Sequence, residues 1–276
     1  MSSATPDSHG VTRSATHANA SVRLAPAEVT EVHTRILRNM LATDDSYAYW
    51  QRVELATPLA DRANIAFEQR WFGTKSEARV RTLMTDMTER FDAFPEALAA
   101  LHALGPIPAG LRPFVCHLHT QLADPLYRHF TGDFLPGLRA HGRDDIDRTG
   151  VARWVDGLEP GRWSSTTTVK FGSNLLATAF EVGLVAGRRD PRKLAPLQVP
   201  DVIVGYALYL LRGISIAEPA LDNAYLRSLG VTREAFRTFA PRVPGIRFAE
   251  LGGASELTFE HASLREWAAL HLGAPA

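Results

Sequence analysis

GRWSSTTTVKFGSNLLATAFEVGLVAGRRDPRKLAP covers residues 161–196, and the way it folds decides the architecture of the second half of the chain. Trp163 precedes Ser164 and Ser165, whose hydroxyls suit the free N–H groups at a helix start. The spacing predicts a helix from there to about Val182. Leu175, Leu176, Ala179 and Phe180 can face a core, while Thr166, Lys170, Ser173 and Asn174 lie on another face by the three- and four-residue rule. Gly183 suits the residue that closes a helix in the left-handed region. LVAG (184–187) and LAPLQV (194–199) read as short strands, and RRDPRK between them, with Asp-Pro at its centre, as their turn. A helix followed by a hairpin with a basic tip is the outline of a winged helix.

The charge of this stretch is out of step with the rest. Between residues 161 and 200, Arg162, Lys170, Arg188, Arg189, Arg192 and Lys193 stand against Glu181 and Asp190, an excess of four positive charges. Over all 276 residues, 30 basic and 30 acidic side chains cancel. Neutrality excludes a polybasic coat, so any nucleic-acid surface is a local patch. The expected interface is with nucleic acid and comprises Arg162, Ser165, Thr166, Lys170, Ser173, Asn174, Arg188, Arg189, Arg192 and Lys193. Small polar side chains on a helix reach the floor of the major groove and exchange hydrogen bonds with base edges, and Lys170 meets phosphate or guanine. Wing cations hold the adjacent backbone by counterion release and carry no sequence information. The plainer alternative is a solvated turn whose charges keep an exposed loop soluble.

Upstream, the chain reads as helices and predicts a bundle over residues 25–159, after a disordered Ser-, Thr- and Ala-rich tail at 1–24. Residues 25–41 carry Val29, Val32, Ile36, Leu37 and Met40 at helical spacing. TKSEARVRTLMTDMTERFDAF (74–94) opens with Thr74 and Glu77, a capping-box pair. Pro95 suits the first helical position of PEALAALHAL. Residues 111–121, 124–131 and 144–158 continue the helical pattern. Downstream, EPALDNAYLRSLG, VTREAFRTFAPR and IRFAELGGASELTFEH give the order helix, helix, hairpin, again a winged-helix outline in pattern and not in sequence identity, with Ile246, Phe248 and Leu251 facing Leu257 and Phe259 across Gly252-Gly253. The C-terminal region 160–276 thus divides by pattern into winged units at 160–213 and 214–276. The second hairpin tip is flanked by Glu250 and Glu256, which favours a structural or protein-contact role, although Arg227, Arg233, Arg237 and Arg242 lie nearby.

Hydrophobic residues make up 45% of the chain, enough for a sizeable core. The longest apolar run, VIVGYALYLL (202–211), gives about 15 Å of helix, half a bilayer core, and reads as a buried helix. With no apolar leader and a single cysteine, Cys116, the expected location is the cytoplasm. Cys116, His117 and His119 suggest a metal, but His117 points away from the face the other two share, so a half-buried helix is the better account. Asp144, Asp145 and Asp147 suggest Mg²⁺, but they also suit the positive end of a helix. The sequence holds no HExxH, G-x-S-x-G or Walker pattern. The expectation is therefore a non-enzymatic protein without a cofactor.

TKSEARVRTLMTDMTERF, LYRHFTGDFL, WSSTTTVKFGSNLLATAFEVGLV and IRFAELGGASELTFEH, in that order, resemble the BrxA family of BREX (bacteriophage exclusion) systems. The most specific part is Trp163, Ser164 and Thr167 at the start of the helix, with Gly183, Leu184 and Val185 after it. The resemblance spans roughly residues 30–265. It implies a helical N-terminal domain followed by winged-helix-like parts, double-stranded DNA binding, no catalytic residue, and other BREX proteins as partners in restricting phage. The fold expected is mainly α, an N-terminal helical bundle followed by winged-helix-like parts with short β-hairpins. The competing functional reading is a protein–protein scaffold within the defence complex that does not touch DNA.

Overall fold

The computed structural model describes residues 26–251 and 254–273, so the expected tail and the Gly252-Gly253 turn lie outside the described residues. The fold is mainly helical with short antiparallel strand pairs. The first helices are α1 (Thr43–Arg52), α2 (Leu59–Glu68), α3 (Glu77–Met87), α4 (Pro95–Ala103) and α5 (Arg112–Ala123). Pro95 takes the first turn of α4 as its missing N–H favours. Ser76, rather than Thr74, caps α3, accepting the Arg79 N–H, and the helix runs on as a π-helical turn at Thr88–Asp92. α5 is the central helix. Residues 115–123 are buried on every side, where the sequence suggested half-burial. Periodicity alone does not separate these cases, because His117, His119, Thr120 and Gln121 look like a solvent face until partners cover them.

Residues 25–41 do not form the expected helix. Their described part is extended apart from a single 3-10 turn at Arg35–Leu37. The body supplies the backbone partners that a helix would have supplied. Ala27 bridges Ser215, Val29 N–H donates to Leu122 O (2.9 Å), and Arg128 donates to Val29 O (2.7 Å). The buried Arg90 guanidinium donates to the carbonyls of Asn39, Met40 and Leu41. Tertiary hydrogen bonds override a helical pattern that is otherwise sound.

Three short helical pieces follow: α6 (Pro125–His129), a π-helical turn at Phe130–Phe134 and α7 (Leu135–Ala140). Then come β1 (Asp145–Ile146), α8 (Arg148–Leu158), α9 (Ser165–Val182), β2 (Val185–Ala186) and β3 (Arg192–Leu194), with β3 central in the order β1–β3–β2. Strand, two helices and hairpin is winged-helix order. The strand was not expected: residues 145 and 146 form a strand instead of opening a helix, and Asp147 alone caps α8, accepting Gly150 N–H at 2.7 Å. β3 begins inside the expected turn and ends at Leu194, because Pro196 and Pro200 lack the N–H groups that would extend LAPLQV as a strand. The sheet and the α8–α9 pair straddle residues 159 and 160, and one buried core runs from Leu83 and Leu118 through Leu176 to Tyr206 and Trp267.

The remaining elements are α10 (Asp201–Arg212), α11 (Ala224–Ser228), α12 (Arg233–Phe239), β4 (Ile246–Leu251), β5 (Ala254–Phe259) and α13 (Leu264–His271). Helix, helix, hairpin is observed here, with Ile246 opposite Phe259 and Phe248 opposite Leu257. α10 is the expected buried helix, covered over residues 203–211. Among the described residues no helix is long and apolar enough to cross a membrane.

Candidate nucleic-acid interface

α9 is built as its sequence directs. Ser164 caps it by accepting Thr167 N–H, and Gly183 closes it at φ +85°, a conformation that a side chain would strain. Phe171, Leu175, Leu176 and Ala179 enter the core. The opposite stripe, at the same helical phase, is Thr166, Val169, Lys170, Ser173, Ala177 and Phe180. Thr166, Val169 and Lys170 are exposed, and Arg188 sits over the Phe180 ring at 5.3 Å. Ser165 is exposed at the edge of this stripe, in the first turn. The structure therefore joins Thr166, Lys170 and Ser173 to the wing through Arg188.

Four of the expected contact residues are committed to other segments of the protein, while Ser173 donates its hydroxyl to Val169 O within α9 (3.1 Å). Asn174 donates to Ile36 O (2.9 Å), so its face of α9 is covered by the segment that leads into α1. Arg162 pairs with Glu159 and donates to Val32 O (2.8 Å). Arg192 and Lys193 belong to β3, where successive side chains alternate between faces. Arg192 points inward and is buried, donating to Leu176 O at 2.9 Å. Lys193 points outward but meets Asp144 at 2.9 Å across the β1–β3 ladder. This hydrogen bond, with the Lys193 charge, holds the Asp144 carboxyl below its ordinary range and raises the Lys193 ammonium.

β1 and α8 also change the local charge. Over residues 143–194 there are nine basic and seven acidic side chains, an excess of two, where the narrower window gave four. The basic character is concentrated at one point. Arg148, Ser173, Arg188, Arg189, Asp190 and Arg192 line a cavity of about 320 Å³ between the start of α8, the middle of α9 and the wing. Arg148 Nε donates to Asp190 at 3.0 Å, and its side chain remains 59% exposed. Arg189 is exposed and forms no ion pair among the described residues. Sequence reasoning missed Arg148, which lies 40 positions before Arg188. Its one local signal was Gly172 in the middle of a helix. A Cβ there would stand 2.6 Å from Arg148 O, so the glycine lets α8 cross close against α9 beside Ser173.

The second winged unit differs. Arg227 is held by Asp133, Glu218 and Asp222, Arg242 by Asp201, and Arg237 by Glu250. Cys116, His117 and His119 are buried structural groups. Tyr127 OH meets His117 Nδ1 at 2.8 Å, and His117 Nε2 meets Ser228 Oγ at 2.9 Å, while that hydroxyl donates to Tyr225 O. His119 Nδ1 donates to Arg90 O, and Tyr206 OH donates to His119 Nε2. Each imidazole is satisfied in its neutral form. Burial lowers His117 to about 3 and His119 to about 4, and pushes the Cys116 thiol up to about 12. Such groups cross-tie α5 to α10 and α11; they do not exchange protons near neutral pH.

No protein-family model and no curated protein matches the chain.

Proposed function

We propose that this protein is a double-stranded DNA-binding accessory factor of a BREX-type antiphage system, acting in the cytoplasm beside other BREX proteins and without a catalytic step of its own. In this reading α9 faces the major groove with Thr166, Lys170 and Ser173, and Ser165 lies at the rim. Arg188, Arg189 and Arg148 hold the flanking phosphates. The observation that carries it is the union, on one surface, of an uncovered polar helix face with exposed arginines at the wing end of that face. The resemblance of the sequence to BrxA points the same way. Arg162, Asn174, Arg192 and Lys193 shape this surface and leave the phosphate work to others.

Fluorescence anisotropy with a labelled duplex across a salt series tests the reading. Arg188→Glu/Arg189→Glu is expected to lose at least about tenfold in affinity and to flatten the salt slope by about two phosphate equivalents. Binding that is equal in both proteins sinks the assignment. Absence of binding in the native chain transfers the function to protein contacts, for which the neutralised arginines of the second winged unit speak.

A further inference from the structure

The cavity at the wing base is more than the sum of surface charges. Arg148, Arg188, Arg189 and Arg192 line it against one carboxylate, Asp190, and three different elements supply its wall. Asp190 is fully used: one oxygen lies 3.5 Å from Arg192 Nε, and the other accepts Arg148 Nε at 3.0 Å and Arg148 N–H at 3.3 Å. That carboxylate fixes the two side chains without cancelling the set. Arg192 is further held by Leu176 O, and Arg188 by the Phe180 ring. At about 320 Å³ the space equals roughly ten water molecules of liquid, enough for a tetrahedral anion and part of its hydration. Like charges held together around water draw in an anion, and planar guanidiniums match the oxygens of a phosphate.

We propose that this cavity is a discrete seat for one phosphate group, in which Arg148 and Arg189 grip the oxygens while Asp190 and Arg192 hold the grip in shape. With a duplex phosphodiester as the source, the proposal rests on the DNA-binding reading and makes the seat the anchor that fixes the register of α9 on the groove. A free phosphate monoester is the other source of the same chemistry.

The test uses the full chain and the charge-conserving variant Arg148→Lys, whose folding is checked by circular dichroism. The first arm is a duplex series in which each backbone phosphate in turn is a neutral methylphosphonate. The second arm is inorganic phosphate followed by thermal shift. The expected result is one phosphate position whose neutralisation weakens the native protein about tenfold, and a loss of this sensitivity in Arg148→Lys, because an ammonium cannot reproduce the guanidinium fork. Phosphate stabilisation of the native chain, absent in Arg148→Lys, together with no duplex binding, keeps the seat and overturns the DNA reading. Duplex binding spread evenly over many phosphates and unchanged in Arg148→Lys overturns the seat and keeps the DNA reading. Neither duplex nor phosphate binding overturns both.

Discussion

Neighbouring cations in one turn-like sequence have opposite fates. Arg188 and Arg189 remain at the surface, Arg192 is buried, and Lys193 is matched by a strand from another part of the chain. Removing them separates structural from functional charge. Arg192→Ala is expected to cost about 2 kcal/mol of stability, since it withdraws a charged donor from a buried carbonyl. Arg189→Ala is expected to stay within about 0.5 kcal/mol, as exposed substitutions do. Urea unfolding of both variants checks this, and equal costs would contradict the inward orientation of Arg192. Lys193, 62% exposed beside Asp144, contributes little as an ion pair in water.

Helix packing decides whether the arginines converge. α8 crosses α9 at Gly172, and that contact carries Arg148 to the wing. Gly172→Ala tests it, because two effects oppose each other. Alanine favours a helix interior over glycine by about 1 kcal/mol. A Cβ at 2.6 Å from the backbone oxygen of Arg148 forces the helices apart, which costs about 1–3 kcal/mol in packed interiors. The obstacle is backbone and not a movable side-chain tip, so net destabilisation is expected, read as a lower urea midpoint. A more stable variant would mean that α8 does not press on α9. The segment before α1 follows the same logic in reverse: its apolar spacing suits a helix, but Arg90, Arg128 and Asn174 claim its carbonyls one by one.

At the scale of the molecule, buried neutral histidines tie the two halves of the fold and set its response to acid. His117 joins α5 to α11, and His119 joins α5 to α10. Their folded pKa values, about 3 and about 4, lie below the ordinary 6.5. As the pH falls below 6.5 the unfolded chain binds protons that the folded chain refuses, so this contribution is complete above 6.5 and is lost on acidification towards the folded values. Asp86 and Asp124, raised by burial, work in the opposite sense as the pH falls. His119→Gln isolates one histidine. Between pH 7 and pH 5 the native protein is expected to lose about 2 kcal/mol more than the variant, measured by urea unfolding at each pH. Parallel losses would show that His119 is protonated in the folded state.

Several helices of the chain were legible in its sequence because their causes are local, whereas α1 and α2 were not picked out. The caps at Ser164 and Gly183, the proline that opens α4, the apolar runs of α9 and α10 and the alternation of β4 and β5 each act within a few residues. The mainly α class and the two hairpins follow from them. Burial on every side of α5, the extended path of residues 26–41, and β1 beside β3 were decided only in three dimensions. So was the candidate site: the sequence supplied the polar face of α9 and the arginines of the wing, whereas packing withdrew Arg162, Asn174, Arg192 and Lys193 and added Arg148. Periodicity states which residues share a face. It does not state what covers that face, because the groups that satisfy a buried carbonyl or neutralise a charge come from segments tens of residues away, brought there by the burial of the whole core.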